Sequence, residues 1–473
     1  MEDPPFAWSY TCPEAGALQP CSNSTSRGFN PVRKAAKERD DPELLFLNGH
    51  PSSGWLNTIG HKYEVDMRFF QQHLRSIKPP VYQYADPSLP SSSRHFLKLS
   101  VPTIGTLSNA LEDVFKARML LAENLRDQLR ENNIRTPPIG QPIIRRAYLH
   151  NRKQYTFLQE VSMCLLGGNG AWTVLIWTDA GGDDEDPDLS FLFKHASRKP
   201  QPDSELCPTV FNRSEWHDGP APPPAASSKK RFTATQTFNS LHKEYGRSLN
   251  PQRMREHPFY AVSEIYAFAA AAEDQLLNMM KEIIDERMYA LVKVDMQNEP
   301  SSKALSERIN LQCDLSVLEE RSDRISDIIA FLKAADDPVW FPPFANPTPN
   351  GPIMTARMNL LQDFQYLYTR IRQLIQRCER AMEIVAHNAS LSEAKRSNSQ
   401  SKNLEHLTRL TTGLTLVYVP LSFVCTFFGM NFSIFGQGDL PIWIFFAISV
   451  PVLLILLIIL LWKLTSRSKK EAS

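Results

Sequence analysis

The fold class follows from the C-terminal residues 410–462, which read LTTGLTLVYVPLSFVCTFFGMNFSIFGQGDLPIWIFFAISVPVLLILLIILLW. These 53 residues contain a single charged side chain, Asp439. Leu410 to Phe428 supplies 19 largely apolar residues, and Pro441 to Trp462 supplies 22. Because a bilayer core of about 30 Å needs about 20 helical residues, each segment predicts one transmembrane helix. The alternative is a buried hairpin of a soluble protein, but residues 450–461 are apolar on every face, which argues against it.

Basic side chains around the two apolar segments predict their orientation. The loop between the segments has no lysine or arginine, whereas both outer flanks have several. These flanking residues are Lys395, Arg396, Lys402, Arg409, Lys463, Arg467, Lys469 and Lys470. The positive-inside rule therefore places both chain termini in the cytosol and the loop outside. We expect a multi-pass protein of the plasma membrane rather than of an organelle.

A long helix is predicted immediately upstream. From Ile353 to Thr412 the chain contains no glycine and no proline. Apolar residues in this stretch recur at alternating spacings of three and four, the heptad pattern by which one helix packs on another. They are Leu361, Phe364, Tyr368, Ile371, Ile375, Cys378, Met382, Val385 and Ala389. A helix continuing to Phe428 would be about 110 Å long and needs neighbours, either copies of itself or helices upstream.

One face of the first apolar segment carries small and hydroxyl side chains. They are Thr408, Thr411, Thr415, Tyr418, Ser422, Cys425 and Gly429, spaced alternately by three and four. Such a stripe either packs helices together or lines a water-filled path. Two spans per chain cannot enclose a channel, so the second interpretation requires several copies of the chain. The polar run 392–403 before the stripe also has two interpretations, namely a solvated helix or the neck of a pore.

The motif Phe428-Gly429-Met430-Asn431-Phe432 follows the first apolar segment directly. Its position before a second C-terminal span resembles the CorA magnesium-transport family, and so does Pro420-Leu421-Ser422-Phe423. Upstream, Asn48-Gly49-His50-Pro51-Ser52 and His257-Pro258-Phe259-Tyr260-Ala261 look like the cytosolic domain of fungal CorA-like proteins. The resemblance implies a homopentamer with an α/β cytosolic domain, a funnel of long stalk helices and a pore lined by the first span.

By this resemblance the chain transports a divalent cation passively, with Mg²⁺ as the expected ion, also a candidate regulatory ligand, and with no enzymatic cofactor. A ring of Asn431 amide oxygens would accept hydrogen bonds from the water shell of an ion that dehydrates reluctantly. Gly429 lets the backbone turn out of the helix, and Met430 is interpreted as packing. Asp439 in the external loop would attract cations to the mouth of the pore.

Three of the four positions that correspond to the family's inner constrictions depart from its pattern. By register from Asn431, its inner constrictions fall on Val419, Thr411, Thr408 and Glu405, where apolar residues or asparagine are usual. The expected apolar gate is therefore weakened, and either the carboxylate of Glu405 or His406 replaces the usual amide at the cytosolic end of the pore. Two alternatives stay open, namely transport of Zn²⁺ or Ni²⁺/Co²⁺ by the same fold and a transport-inactive, membrane-anchored sensor or scaffold.

The remaining sequence predicts a mixed cytosolic part. Apolar runs at Leu158 to Cys164 and Ala171 to Thr178 surround a glycine-rich turn and predict a β-hairpin. The acidic run Asp179 to Asp188 is interpreted as a solvated loop. The expected organisation is a disordered tail (1–42), an α/β domain (43–200), a flexible proline-rich insertion (201–257), a helical part (258–352), a stalk helix (353–409), a first span (410–428), the motif with its external loop (429–440), a second span (441–462) and a basic tail (463–473).

Composition excludes several classes of function. A formal net charge of +1 gives no field for nucleic acid. The seven cysteines are scattered without metal-binding spacing, which indicates reduced thiols. We find no constellation of nucleophile, metal ligands or cofactor motif, so the sequence does not predict an enzyme. The expected partners are copies of the chain, the lipid bilayer and divalent cations.

Overall fold

The computed structural model describes most of the chain. The described residues are 7–12, 19–24, 41–74, 93–134, 137–167, 171–181, 189–194, 204–213, 232–243, 245–246, 248–297, 301–334, 339–341, 352–429, 441–452, 454–455 and 458. They divide into two units, Met1–Ile384 and Val385–Ser473.

Ten strands are described, all in the first unit. They are β1 (Ala7–Thr11), β2 (Gln19–Ser24), β3 (Glu43–Asn48), β4 (Phe96–Leu107), β5 (Arg146–Leu149), β6 (Gln154–Leu166), β7 (Thr173–Thr178), β8 (Ser204–Cys207), β9 (Thr209–Arg213) and β10 (Phe232–Gln236). The main sheet has the order β2-β1-β3-β7-β6-β4-β8, with β5 also paired to β6, and β9 pairs with β10 separately. Only β3 and β7 run parallel among the described pairs.

Seven α-helices accompany the strands among the described residues up to Gly429. They are α1 (Ser53–Tyr63), α2 (Met67–Leu74), α3 (Val114–Ile134), α4 (Pro251–Glu256), α5 (Pro258–Gln297), α6 (Ser301–Lys333) and α7 (Pro352–Gly429). The sequence-based expectation of an α/β part followed by long helices is thus confirmed.

The central hairpin forms where the apolar, β-branched runs predicted it. β6 and β7 pair antiparallel, with Val161 opposite Thr178 and Leu166 opposite Thr173. The glycine-rich turn itself, at residues 168–170, lies outside the described residues. Every residue of β7 is buried, which explains its continuous apolar run.

Helices α1 and α2 cover part of this sheet. Ser52 caps α1 by accepting a hydrogen bond from the backbone N–H of Trp55, as serine commonly does at a helix start. Trp55 and Phe69 then pack into the same buried cluster as Leu47 and Trp177 of the sheet. Burial of such large aromatic side chains is a main source of stability.

The prediction that residues 1–42 form a disordered tail is wrong for the residues of β1 and β2. β1 pairs with β3 in antiparallel register, Ala7 opposite Leu47 and Thr11 opposite Glu43. The side chain of Tyr10 is buried, and its hydroxyl donates a hydrogen bond to the carbonyl of His242. A single short strand gives little local signal, because its stability comes from a partner more than thirty residues away.

The expected flexible insertion, 201–257, also contains ordered elements. Phe211, Phe238, Leu241 and Tyr245 are buried, and Phe211 meets Phe268 of α5 edge to face. The prolines that suggested flexibility lie at 220–224, outside the described residues. Because those prolines dominate the composition of the segment, the sequence did not predict that the aromatic residues on either side are buried.

Helix α7 confirms the long uninterrupted helix predicted from the stretch without glycine or proline. Its predicted seam is half right. Phe364, Ile371 and Cys378 are fully buried, and Val385 is buried as well. Ile375 is also buried, as predicted. Three other positions are shifted by one residue, since Leu360, Leu367 and Ala381 are buried where Leu361, Tyr368 and Met382 were predicted, and the predicted Ala389 is exposed.

Ion pairs fix the first part of α7 to α5. Arg370 pairs with Asp274, and Arg377 pairs with Asp285 at 3.0 Å. Arg357 donates from Nε to the carbonyl of Leu332 in α6 at 2.7 Å. These contacts show that the buried seam of α7 up to Ile384 is covered by helices of the same chain.

Candidate functional site

The predicted pore-facing residues lie on the last third of α7, in the second unit. Thr408, Thr411, Thr415, Tyr418, Val419 and Cys425 are exposed in the single chain, and Ser422 is half-buried. Gly429 is the last residue of α7. Met430, Asn431 and Asp439 lie outside the described residues, so the motif is represented by Gly429 alone.

The hydroxyl groups of this face have a common geometry. Thr408, Thr411 and Thr415 each donate to the carbonyl four residues earlier, at 2.7, 2.9 and 2.8 Å. Because the hydrogen is committed to the helix, each oxygen keeps its two lone pairs as hydrogen-bond acceptors. The face therefore offers hydrogen-bond acceptors, the groups that suit the water shell of a cation.

Glu405, expected at the cytosolic end of the site, has a partner on its own helix. Its Oε1 accepts from Arg409 Nη2 at 2.7 Å, an ion pair with the spacing of one helical turn. Both side chains are exposed, so the pair contributes little to stability. It does, however, neutralise much of the local charge of the carboxylate.

Pro420 interrupts the hydrogen-bond ladder within α7. Proline has no N–H, so the carbonyl of Leu416 loses its usual intrahelical donor. This freed carbonyl belongs to the residue directly after Thr415 and adds polarity to an apolar segment.

Residues 443–452 form a further helical stretch in the second unit. Its large side chains Trp443, Phe446 and Val450 are exposed, whereas Ser449 is only 5% exposed. Ser449 is the one hydroxyl residue between Pro441 and Trp462. The structure places it on the buried side and the apolar residues outward.

No helix within the described ranges is both long enough and apolar enough to cross a membrane.

The first unit contains a buried ionic cluster that sequence analysis missed. Asp179 Oδ1 accepts from Arg145 Nη2 at 2.8 Å and lies 3.3 Å from His73 Nε2. His73 Nδ1 lies 2.8 Å from Ser162 Oγ, and Arg145 Nε lies 2.9 Å from Glu160 Oε2. Asp179 is fully buried, so the interpretation of residues 179–188 as a solvated loop is wrong at its first residue; 182–188 lie outside the described residues.

Electrostatics fixes the protonation of this cluster. Burial and the positive charge of Arg145 lower the pKa of His73 to about 4, against the opposing effect of Asp179. Burial alone would raise the pKa of Asp179, but Arg145 and His73 outweigh it and lower the value. At neutral pH the cluster is thus a neutral histidine beside an Asp–Arg pair.

The cluster resembles a hydrolytic Ser–His–Asp arrangement only in residue types. Ser162 lies inside β6 and is 4% exposed, so no substrate reaches its hydroxyl. Asp179 is bound by Arg145 on both oxygens instead of serving the histidine alone. The contacts join α2 to the sheet and are structural.

Other polar groups of the first unit also pair internally. A groove of about 630 Å³ runs between α5 and α7, but its Asp274 and Arg370 pair with each other. Among the described residues, no group of three or more histidine, cysteine or acidic side chains is arranged to hold a metal ion. The stripe on α7 is therefore the strongest candidate site.

The chain is similar to a protein family and to solved structures. Two solved structures are similar over nearly the whole chain: the CorA magnesium transporter from Methanocaldococcus jannaschii (11% identity, 96% of each chain, TM-score 0.36) and the full-length CmaX protein (10% identity, 98% of each chain, TM-score 0.30). No curated protein matches the chain. The family model described as "CorA-like Mg²⁺ transporter protein" matches residues 233–470, which is half of the chain and includes α5, α6 and α7 as well as the Gly429-Met430-Asn431 motif. The chain therefore belongs to the CorA-like Mg²⁺ transporter family.

Proposed function

We propose that this chain is one subunit of a passive divalent-cation channel or transporter, with Mg²⁺ as the expected ion. The observation that carries the proposal is the family match over residues 233–470, because it includes the long helix, the motif and both apolar segments. Membership in a family of ion transporters agrees with the expectation of a protein that is not an enzyme and needs no enzymatic cofactor.

The proposed membrane region consists of spans at 410–428 and 441–462 joined by the external loop 429–440. Its support is the single charge between Leu410 and Trp462 together with the burial pattern. Most of the large apolar side chains that are exposed among the described residues lie between Leu404 and Ile458. An exposed apolar surface of this extent needs lipid or protein to cover it. Both termini are proposed to be cytosolic, in the plasma membrane.

The proposed pore is formed by several copies, five by resemblance, each contributing the stripe of α7. The outward oxygens of Thr408, Thr411 and Thr415 would accept hydrogen bonds from a hydrated cation. At the outer end, Gly429 ends the helix, and its unpaired carbonyls carry partial negative charge. Rings of Asn431 and Asp439 would add neutral acceptors and a field that attracts cations, with Met430 as packing.

Two alternatives remain as outcomes of the test. A transporter of Zn²⁺ or of Ni²⁺/Co²⁺ would use the same fold and motif. A transport-inactive sensor or scaffold is favoured by one observation, the hydroxyl residues Thr408 and Thr411 at positions where the family usually has apolar or asparagine side chains.

The test is uptake by protein reconstituted in vesicles that contain a fluorescent indicator for Mg²⁺ or Zn²⁺. We expect Mg²⁺ uptake by the wild type and a loss of about tenfold or more in Asn431→Ala, because the ring of amide acceptors is removed. Asn398→Ala is the matched control, since Asn398 is exposed on α7 away from the stripe. Unchanged uptake in Asn431→Ala would contradict the role of that residue. Zn²⁺ uptake without Mg²⁺ uptake would favour the first alternative, and no flux of either ion the second.

A further inference from the structure

A cluster of cations surrounds one serine on α7. Ser399 has Lys395 and Arg396 one helical turn before it and Lys402 one turn after it, at spacings of four, three and three residues. Residues at these spacings are neighbours on the surface of a helix. All four side chains are exposed, and none of the three cations forms an ion pair with a residue that the structure describes, the nearby Glu393 included. The positive charge around Ser399 is therefore not compensated by the described residues.

The hydroxyl group of Ser399 is not committed to the helix. Ser390 donates to the carbonyl of Ala386 at 3.0 Å, and Ser392 donates to that of Ala389 at 2.8 Å. Among the residues that the structure describes, the side chain of Ser399 has no such acceptor. Its oxygen thus keeps both its proton and its lone pairs available to a reagent from solution.

Ser399 also lies on the side of α7 opposite to the stripe. Nine residues separate it from Thr408, which is about two and a half helical turns. The neighbouring serines Ser397 and Ser401 lie about 160° around the helix from Ser399 and continue the line of the stripe. Copies of the chain that meet along the stripe would therefore cover Ser397 and Ser401 and leave Ser399 facing outward.

The helix around Ser399 is poorly supported. Six of the twelve residues 392–403 are serine or asparagine, whose side chains compete with the helix for backbone hydrogen bonds. All twelve are exposed, so no buried apolar contact with the described residues opposes local opening of the helix. The segment can consequently adopt the extended conformation in which an enzyme binds a short peptide sequence.

We propose that Ser399 is a phosphorylation site for a serine kinase that recognises basic residues before its target. Among Ser397, Ser399 and Ser401, only Ser399 has an arginine three residues before it, Arg396, and kinases select substrates by such charge patterns. Ser399 Oγ attacks the γ-phosphorus of ATP, the bond from that phosphorus to the oxygen of the departing ADP breaks, and the hydroxyl proton passes to the catalytic base of the kinase. The inference rests on the proposed function only for the cytosolic location of the segment.

The phosphate would stabilise α7 at its weakest point. Phosphoserine carries a charge of about −1.5 to −2 at neutral pH and has three strong acceptor oxygens. Lys395, Arg396 and Lys402 lie within one turn, so the phosphate can form charge-assisted hydrogen bonds on both sides of Ser399. Phosphorylation thus converts residues 392–403 from a segment that opens easily into a more stable helix. It makes Ser399 a regulatory site on the part of α7 next to the proposed membrane region.

The first test locates the modification on the full-length protein in nanodiscs of neutral lipid. A purified serine kinase that requires arginine three residues before its target is supplied with ATP and Mg²⁺, and mass spectrometry identifies the phosphorylated residue. Ser399 should be labelled about tenfold more than Ser397 or Ser401, and Arg396→Ala should lower its labelling about tenfold, because a contact to a charged group is lost. The control Lys402→Ala should stay within about twofold of the wild type. Labelling of Ser397 or Ser401 instead, or none in this segment, would overturn the site.

The same labelling in nanodiscs that contain phosphatidylserine separates the proposal from a membrane-binding role of the three cations. Basic segments next to a membrane are attracted to anionic headgroups, which would hide Ser399 from the kinase. Equal labelling in both lipids supports the proposal. Labelling that is lost in the anionic lipid would overturn it and assign the cations to the membrane surface.

The second test is hydrogen exchange of the same protein with and without the phosphate. Backbone amides of residues 392–403 should exchange about threefold more slowly after phosphorylation, because the ionic contacts oppose local opening of the helix. Lys402→Ala should show a smaller slowing, and residues 360–380 of α7 serve as the internal control. Exchange that phosphorylation leaves unchanged or accelerates would overturn the regulatory role. Neither test measures ion flux, so failure of the proposed function would leave both results interpretable.

Discussion

The two parts of α7 differ in how their side chains are covered. Up to Ile384 the helix buries a continuous seam, with Phe364, Ile371 and Cys378 fully inaccessible. From Leu391 to Thr412 the side chains of the same helix are exposed on every face. The first part has its partners within the chain. The second is not covered by any of the described residues, and under the proposed function its cover comes from other copies of the chain or from lipid.

The largest expected effect concerns the buried ionic cluster of the first unit. Removing a member of this cluster tests whether contacts within the chain stabilise that unit. Asp179→Ala leaves Arg145 charged and buried without its main partner, which should cost about 3–5 kcal/mol of unfolding free energy. Asp285→Ala, which removes an exposed ion pair with Arg377, should cost less than about 1 kcal/mol. Chemical denaturation of the purified full chain measures both. Equal effects would show that the cluster is not buried as described; if Asp179→Ala does not fold, Asp179→Asn replaces it.

The next effect concerns the register of the seam. Leu367 is buried and Tyr368 only half-buried, so Leu367→Ala should cost about 2–4 kcal/mol because it opens a cavity. Tyr368→Ala should cost about 1 kcal/mol, since less of its surface leaves water on folding. The comparison uses the same denaturation assay. A larger loss of unfolding free energy in Tyr368→Ala than in Leu367→Ala would instead support the seam predicted from the sequence.

A smaller effect is expected from pH. Burial, with a nearby arginine in each case, lowers the pKa of His73 and of His257 to about 4. Below about pH 6.5 the unfolded chain binds protons that the folded chain does not, so stability falls as the pH drops from about 6.5 towards 4. The slope is at most about 1.4 kcal/mol per pH unit for each histidine.

His73→Gln should remove about half of this slope, and the exposed His61 offers His61→Gln as a control. Melting temperatures of the detergent-solubilised protein between pH 7 and pH 5 measure the effect. A slope that His73→Gln leaves unchanged would contradict a neutral, buried His73.

The smallest effect on stability belongs to the second part of α7. Thr411→Val should change the unfolding free energy by less than about 0.5 kcal/mol, because its side chain is exposed in the chain. The same substitution should lower Mg²⁺ uptake in vesicles, since an outward acceptor oxygen is lost from the proposed path. A stability loss as large as that of Leu367→Ala would indicate that Thr411 is covered by its own chain.

The sequence predicted the long helix well because helical periodicity and the absence of glycine and proline are local signals. It did not predict which apolar residues face inward. Leu360 and Leu361, or Leu367 and Tyr368, are adjacent residues with large apolar surfaces, and either member satisfies a heptad. Only packing against α5 and α6 decides between them.

The buried ionic cluster was beyond prediction for a different reason. His73, Arg145 and Asp179 are far apart in the sequence, and each charged residue taken alone indicates a solvated position. Their burial depends on tertiary contacts that bring α2 to the ends of β5 and β7. The strands β1 and β2 were missed similarly, because β1 is held by its pairing with the distant β3, and β2 pairs in turn with β1.

The candidate site was predictable in part. The alternating spacing of Thr408, Thr411 and Thr415 gave the stripe, and their common exposure is consistent with it. The spacing of four residues between Glu405 and Arg409 also predicts their ion pair. The sequence-based prediction for Glu405 did not take this pair into account.

The central claim is that the exposed part of α7 is completed by further copies of the chain. The most direct measurement is the mass of the full-length protein in lipid nanodiscs, by native mass spectrometry or mass photometry. The account predicts a complex of several subunits, five by family resemblance. A monomer of 53.8 kDa in lipid would contradict it, because one chain with two spans cannot surround a path for ions.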